Sequence, residues 1–322
     1  MNQSTTNLKL WYRQPAAQWV EALPVGNGRL GAMVFGGLIT ERLQLNEDTL
    51  WSGPATTWNT PDAQAALPAV REAIFAGDYV EADRRAKALQ GAFTQSYQPL
   101  GDLHLHFAHG DKASAYVRDL DLDSATATTQ YTVDGVAYTR TVFASTPAQA
   151  IVMQLTSDQP GKLTFTARLS SQLRYGVSAA DQRTLVLTGK CPAHVEPSYR
   201  RVETAVIYAE AENGPGLHFA AALTAVTSGG AVHTDEAGLH VTNADAVTLY
   251  LTAASGFMGF DQIPGRASTE VAAAVQAALR TVAGKPYAAL LATHLADHQA
   301  LFRRVTLDLG VTAAASLPTD ER

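Results

Sequence analysis

Five places in the sequence carry residue types able to do chemistry. In "PVGNGRLGAMVFGG" (24–37), Gly26, Gly28 and Gly31 stand at G-x-G-x-x-G spacing, and Glu47 and Asp48 come about where a ribose-binding carboxylate would lie. That pattern belongs to a turn that holds a pyrophosphate against a helix N-terminus. Glu47 and Asp48 can also be read as a pair of catalytic carboxylates. His104 and His106, with His109 close behind, could offer imidazoles to a metal from one strand face. His294 and His298 are spaced i, i+4 with Asp297 between them. Trp51, Tyr97, Gln98, His194 and Tyr199 lie in Gly/Pro-rich stretches such as "SYQPLGD" and "CPAHVEPSY". Aromatic faces with a few placed polar groups are what a small-molecule-binding loop uses.

The elements around these residues decide among the readings. A dinucleotide turn needs a buried strand before it and a helix after it. "WVEALPV" carries Pro24, poor material for a central strand. Downstream, Val34, Phe35, Leu38 and Ile39 are strand formers around a Gly36-Gly37 turn, and "ERLQLN" alternates Leu43 and Leu45 with polar residues. Strand–turn–strand leaves no helix N-terminus for a phosphate, so the glycines read as turn and bulge positions. Adjacent residues on a strand face opposite ways, so Glu47 and Asp48 cannot flank one sugar from a regular strand. Turn-stabilising hydrogen bonds from Asn46, Asp48 and Thr49, or a role at an interface, are the remaining readings. No cysteine or compact acid joins the strand histidines, and the helical pair lacks H-E-x-x-H, so packing is expected for both. No catalytic residue, metal or cofactor is assigned, and Cys191 reads as an unpaired small hydrophobe.

With 46% hydrophobic and 17% charged residues over 322, the chain can bury a large core. A net charge of −6 with scattered basic residues argues against nucleic acid or an anionic membrane as partner. No apolar run approaches the ~20 residues of a membrane span. The N-terminus has no apolar core of a signal peptide, and the single cysteine leaves the compartment open.

Three patterns succeed one another along the chain. Residues 8–58 read as short strands. Residues 61–90 are Ala-rich and helical, with Gly77 separating two helices and Val70, Ile74 and Phe75 forming an apolar stripe. Strands then resume: "DLHLHF" places Leu103, Leu105 and Phe107 on one face, and Asp134-Gly135 supplies a tight hairpin turn. After Phe257 come two helices across 268–304, the first with Ser268 as N-cap and Gly284 past its end, the second with Pro286 in its first turn. "VTLDLG" is expected as a last strand. The expected fold is mainly β: a large antiparallel β-supersandwich over 1–257 with a helical insertion at 61–90, and a C-terminal α-helical linker over 258–322. Leu290, Leu291, His294, Leu295, His298, Leu301 and Phe302 make a stripe too wide for a helix packed on one side, so self-association is expected there.

"WVEALPVGNGRLGAMVFGG", "LQLNEDTLWSG", "SYQPLGDLHLHF" and "LFRRVTLDLG…LPTDER", in that order, resemble the N-terminal half of glycoside hydrolase family 95, the α-L-fucosidases. In that family an N-terminal β-supersandwich is joined by linker helices to an (α/α)6 barrel and a C-terminal β-domain. The resemblance implies inverting hydrolysis of α-L-fucosyl linkages, typically α-1,2 to galactose. The catalytic acid and the water-activating Asn/Asp group belong to the barrel, whose motifs do not occur in these residues; the barrel is expected to begin after Arg322. By this reading the chain is non-catalytic, its partners being the catalytic domain of the same protein and, through it, a fucosylated oligosaccharide. An extracytoplasmic location, periplasmic or secreted, is compatible with the family. The related maltose phosphorylases project an N-domain loop toward the barrel's pocket, so the loops of Trp51, Tyr97, Gln98, His194 and Tyr199 are candidates for that role. The alternative is a free-standing carbohydrate-binding β-sandwich. The gene sequence past Arg322 discriminates the two.

Overall fold

In the computed structural model, the described residues are 8–54, 59–91, 94–211, 214–262 and 265–322. Two antiparallel sheets face each other. The nine-stranded sheet runs, in spatial order, Lys9–Tyr12, Ala113–Asp121, Thr126–Val133, Val136–Ser145, Ala150–Ser157, Ala246–Ser255, His218–Ser228, Thr184–Lys190 and Arg174–Asp181. The seven-stranded sheet runs Ala231–Asp235, Gly238–Ala244, Leu163–Ser170, Gly101–Phe107, Thr40–Glu47, Leu30–Val34 and Leu23–Gly26. A two-stranded ribbon, His194–Val195 with Val206–Ile207, stands apart from both.

Alternation decides which side chains fill the space between the sheets. Leu43, Leu45, Leu103, Leu105 and Phe107 point inward from the smaller sheet and meet Leu155, Leu223, Leu249 and Leu251 of the larger. Asp102, His104 and His106 face outward, as the "DLHLHF" pattern predicts. The hairpin after Val133 turns on Asp134 and Gly135, with φ of 50° and 75°, the paired positive angles that suit a sheet's right-handed twist.

A second core covers the outer face of the nine-stranded sheet. Helices α1 (Ala63–Phe75) and α2 (Tyr79–Ala86) form the insertion, and α3 (Ser268–Ala283) and α4 (Tyr287–Phe302) come after the last strand. Val271, Val275, Leu279 and Val282 of α3 and Leu290 of α4 pack on Phe143, Val152, Val186, Ala220, Ala222 and Tyr250. The central strands are therefore buried on both faces. This is why His218–Ser228 and Ala246–Ser255 read as near-continuous apolar runs, with alanines where the helix lies close.

The glycine-rich segment folds as a hairpin. Gly26 pairs with Gly31 across Leu23–Gly26 and Leu30–Val34, and the next element is the strand Thr40–Glu47. Asn27 Oδ1 accepts the amides of Arg29 (3.0 Å) and Leu30 (2.7 Å), while Gly28 takes φ +87°. The chain thus leaves this turn into a strand and not into a helix.

Three local expectations change. Ser268 is the first helical residue rather than the cap, and Ala267 caps α3 without a side-chain bond. "VTLDLG" forms no strand; Val305, Leu307 and Leu309 are exposed and pair with neither sheet. Of the insertion's stripe only Val70 is buried, with Ile74 and Phe75 facing solvent. The wide stripe of α4 is half covered: Leu290 and His294 are buried, whereas Leu301 and Phe302 are exposed. His294 stacks near Phe143 and donates Nε2–H to Ser124 O (2.9 Å), and His298 does the same to Leu122 O (2.9 Å).

Candidate functional site

The strands Thr40–Glu47 and Gly101–Phe107 are neighbours, so the segments just outside them also meet. Trp51 and Tyr97 form a bridge there, with rings edge to face at 5.6 Å between centroids. Tyr97 donates its hydroxyl to Glu47 O (3.0 Å), and Trp51 Nε1–H reaches Asp48 O (3.3 Å). Both rings remain about two-fifths exposed, at 44% and 42%. A third loop is tied on beside them. Ser52 donates to Gln95 Oε1 (2.8 Å), Gln95 Nε2 donates to His194 Nδ1 (3.1 Å), and Gly53 N donates to Pro192 O (2.9 Å). His194 Nε2 lies 3.2 Å from Glu196, which also pairs with Arg200. Gly53 has φ +68°, and a Cβ there would collide with the Gln95 side chain, so this turn requires glycine.

The first two loops, with Leu217 and the segment after Ser255, wall a cleft of about 280 Å³ lined by Thr49, Trp51, Ser52, Pro54, Thr94, Gln95, Leu217, Phe257, Phe260 and Gln262, among others. The lining is aromatic, hydroxyl and amide, and among the described residues it contains no Asp or Glu. Phe257, Phe260, Gln95 and Gln262 are lining residues that the sequence pattern did not single out. "GFMGFDQ" alternates glycine with aromatics directly after a strand, a signal for such a loop that otherwise reads only as a boundary between strands and helices.

Of the five candidate residues, Trp51 lines the cleft, Tyr97 supports it, and His194 joins through Gln95. Gln98 turns inward instead: it is buried, its Nε2 donates to Ser96 O (3.1 Å), and its amide donates to Leu50 O. Tyr199 is exposed and does not line the cleft.

Glu47 and Asp48 diverge: the strand ends at buried Glu47, and Asp48 opens the turn after it and is exposed. The turn beyond them is stabilised by Glu47, not by Asp48. Glu47 Oε2 accepts from Thr49 N (2.9 Å) and Thr49 Oγ1 (2.6 Å). Ser255 Oγ lies 2.6 Å from Thr49 Oγ1 and accepts from Phe257 N (3.1 Å), so a hydrogen-bonded chain links the Phe257 loop to Glu47. Arg29 stands 3.6 Å from Glu47 and also donates to Ala253 O and Gln149. Burial pushes the Glu47 carboxyl above its usual range, against the bonds from Thr49 and the charge of Arg29.

The strand histidines are engaged separately: His106 with Thr40 Oγ1 (3.1 Å), His109 with Tyr131 Oη (2.8 Å). Burial pushes the Cys191 thiol up to about 12, which keeps it protonated and unreactive.

The family model described as "Glycosyl hydrolase family 65, N-terminal domain" matches residues 10–259. "Alpha-L-fucosidase 2" of Arabidopsis thaliana is 33% identical over 94% of this chain and 36% of its own length. "Probable alpha-fucosidase A" of Aspergillus niger is 28% identical over 93% of this chain and 37% of its own. Among solved structures, a "Putative kojibiose phosphorylase from human microbiome" shares the fold at a TM-score of 0.51 and 9% identity, over 93% of this chain and 38% of that one. The chain thus spans little more than a third of the relatives it matches. The resemblance to the α-L-fucosidases drawn from the four motifs is borne out by these relatives. The match over residues 10–259 places the chain in the glycosyl hydrolase family 65 N-terminal domains.

Proposed function

We propose that this chain is the non-catalytic N-terminal region of an α-L-fucosidase-like glycoside hydrolase, whose full-length form hydrolyses α-L-fucosyl linkages with inversion. The carrying observation is the lining of the cleft: aromatic, amide and hydroxyl groups without a carboxyl among the described residues. An inverting glycosidase needs an acid and a base about 6.5–9.5 Å apart across the sugar. The nearest buried carboxyl, Glu47, has its oxygens turned to Thr49 and Arg29 inside the fold. Such a lining suits gripping a sugar by stacking and hydrogen bonding, and among the described residues it supplies no carboxyl to cleave it. The named activity of the relatives and the third of their length that this chain covers support placing the cleaving carboxylates elsewhere in the same protein.

A second reading is favoured by one observation, the exposed aromatics Trp51, Phe257 and Phe260 at the cleft: a carbohydrate-binding module without hydrolase activity. The gene past Arg322 separates the two. A downstream helical barrel bearing acidic motifs supports the first reading, and a stop codon supports the second.

A further inference from the structure

The outer face of the seven-stranded sheet carries a row of register partners from strand to strand: His233, His240, Thr166, His106 and Thr40. Three donors converge at the edge of that row. His233 and His240 are directly opposed on the hairpin Ala231–Asp235/Gly238–Ala244, with ring centroids 4.7 Å apart. Asp235 lies two residues beyond His233, hence on the same face, and sets Oδ1 2.7 Å from His240 Nε2. One donor atom from each of the three lies within 4.8 Å of the others. Asp235 Oδ1 is aimed by the amides of Ala237 (2.7 Å) and Gly238 (3.2 Å).

We propose that His233, Asp235 and His240 bind a divalent transition-metal ion of the Zn²⁺ class, with water completing the coordination. Two imidazoles and a carboxylate suit such an ion rather than Ca²⁺ or Mg²⁺, which take oxygen ligands. Tetrahedral bonds of ~2.0–2.1 Å place ligand atoms roughly 3.3 Å apart. The Asp235–His240 gap needs to open by about half an ångström, and exposed His233 to swing inward.

Thr166 makes the exchange of proton for metal possible. Its hydroxyl lies 3.0 Å from His240 Nδ1 and can donate or accept. Without metal, Nε2–H donates to Asp235 and Thr166 donates to Nδ1. With metal, the ion binds Nε2, the ring's single proton moves from Nε2 to Nδ1 by way of solvent, and Nδ1–H donates to Thr166, fixing the tautomer that ligation needs. The ion would pin Ala231–Asp235, the terminal strand of its sheet.

The test uses the full chain, stripped with EDTA and titrated with Zn²⁺ against a chromophoric chelator, with Ca²⁺ in parallel. One Zn²⁺ per chain is expected, with no saturable Ca²⁺ binding. His233→Ala and Asp235→Asn should each weaken Zn²⁺ binding by about tenfold or more, as should Thr166→Val through the orienting bond. His104→Ala, on the same sheet face, should change nothing. His233 and Asp235 are exposed, so circular dichroism should show both variants folded. Absence of saturable Zn²⁺ binding, equal binding of Ca²⁺, or unaltered affinity in both His233→Ala and Asp235→Asn would each overturn the proposal.

Discussion

Glu41 and Arg140 form an ion pair between the two sheets, 3.2 Å apart and at most 2% exposed. Glu41 Oε1 accepts from the amides of Gly36 (2.7 Å) and Arg42 (3.1 Å), and Arg140 Nη2 donates to Gly37 O (2.7 Å). The guanidinium also lies over Phe107 and Tyr131, at 5.1 and 4.9 Å. The pair therefore anchors the Gly36-Gly37 turn to the opposite sheet. At that separation the attraction is about 5 kcal/mol for an effective dielectric near 20, of which desolvation of both ions cancels much. Removing one partner strands the other, at about 3–5 kcal/mol. Arg140→Met and Glu41→Gln should each lower stability by about that much in urea titrations at pH 7. The double variant should lose much less than the sum of the two single losses, because neither ion is then left stranded. The singles should also differ with pH. Burial already pushes Glu41 above its usual range against the pull of Arg140, and losing Arg140 raises it further. A carboxyl whose folded pKa exceeds its unfolded value regains stability as pH falls through the folded value. Acid should thus partly rescue Arg140→Met but not Glu41→Gln. A loss below about 1 kcal/mol in Arg140→Met, or strict additivity in the double variant, would refute this account.

Glu47 obeys the same sign: its raised carboxyl contributes stability that is full below the unfolded value and lost as pH rises through the folded one. Glu47→Gln should flatten that part of the stability–pH curve, as urea midpoints read across pH 4–8 will show. Trp51→Ala should abolish any fluorescence change on titration with 2′-fucosyllactose while costing under about 1 kcal/mol, because the ring is half exposed; unchanged binding would remove Trp51 from the site. Leu301, Leu307 and Leu309 are exposed together with Phe302, a run expected to drive self-association. Light scattering over a dilution series should show it, with Leu307→Glu/Leu309→Glu monomeric; a wild-type monomer at high concentration counts against it.

The sandwich was legible wherever one face of a strand is wet, as in "DLHLHF", where every second residue is apolar. It was legible too where a turn needs positive φ, as at Asp134-Gly135 and Gly77. The α3 contact was not legible, because a strand buried on both faces loses its alternation, and Ala220 and Ala222 look like ordinary small residues until a helix lies on them. "VTLDLG" alternates as a strand should, yet alternation does not report whether a segment finds a strand to pair with. At the cleft, Trp51 and Tyr97 were found by type, but Phe257 and Phe260 come from a loop some 160 residues beyond Tyr97 in the chain. Gln98 shows the converse, a polar residue in a promising loop whose side chain turns back onto the carbonyl of Ser96. His233 and His240 are seven positions apart, and only the hairpin's register makes them neighbours.

The most direct test of the central claim is release of L-fucose from 2′-fucosyllactose by the purified chain, monitored with a fucose-specific coupled assay. The account predicts release no faster than the blank, since the cleft is lined without a carboxyl among the described residues and general acid–base chemistry, worth about 10²–10⁴-fold, has no group to perform it. Turnover that survives repurification and disappears in Glu47→Gln would contradict the account, placing the catalytic carboxyl inside this chain.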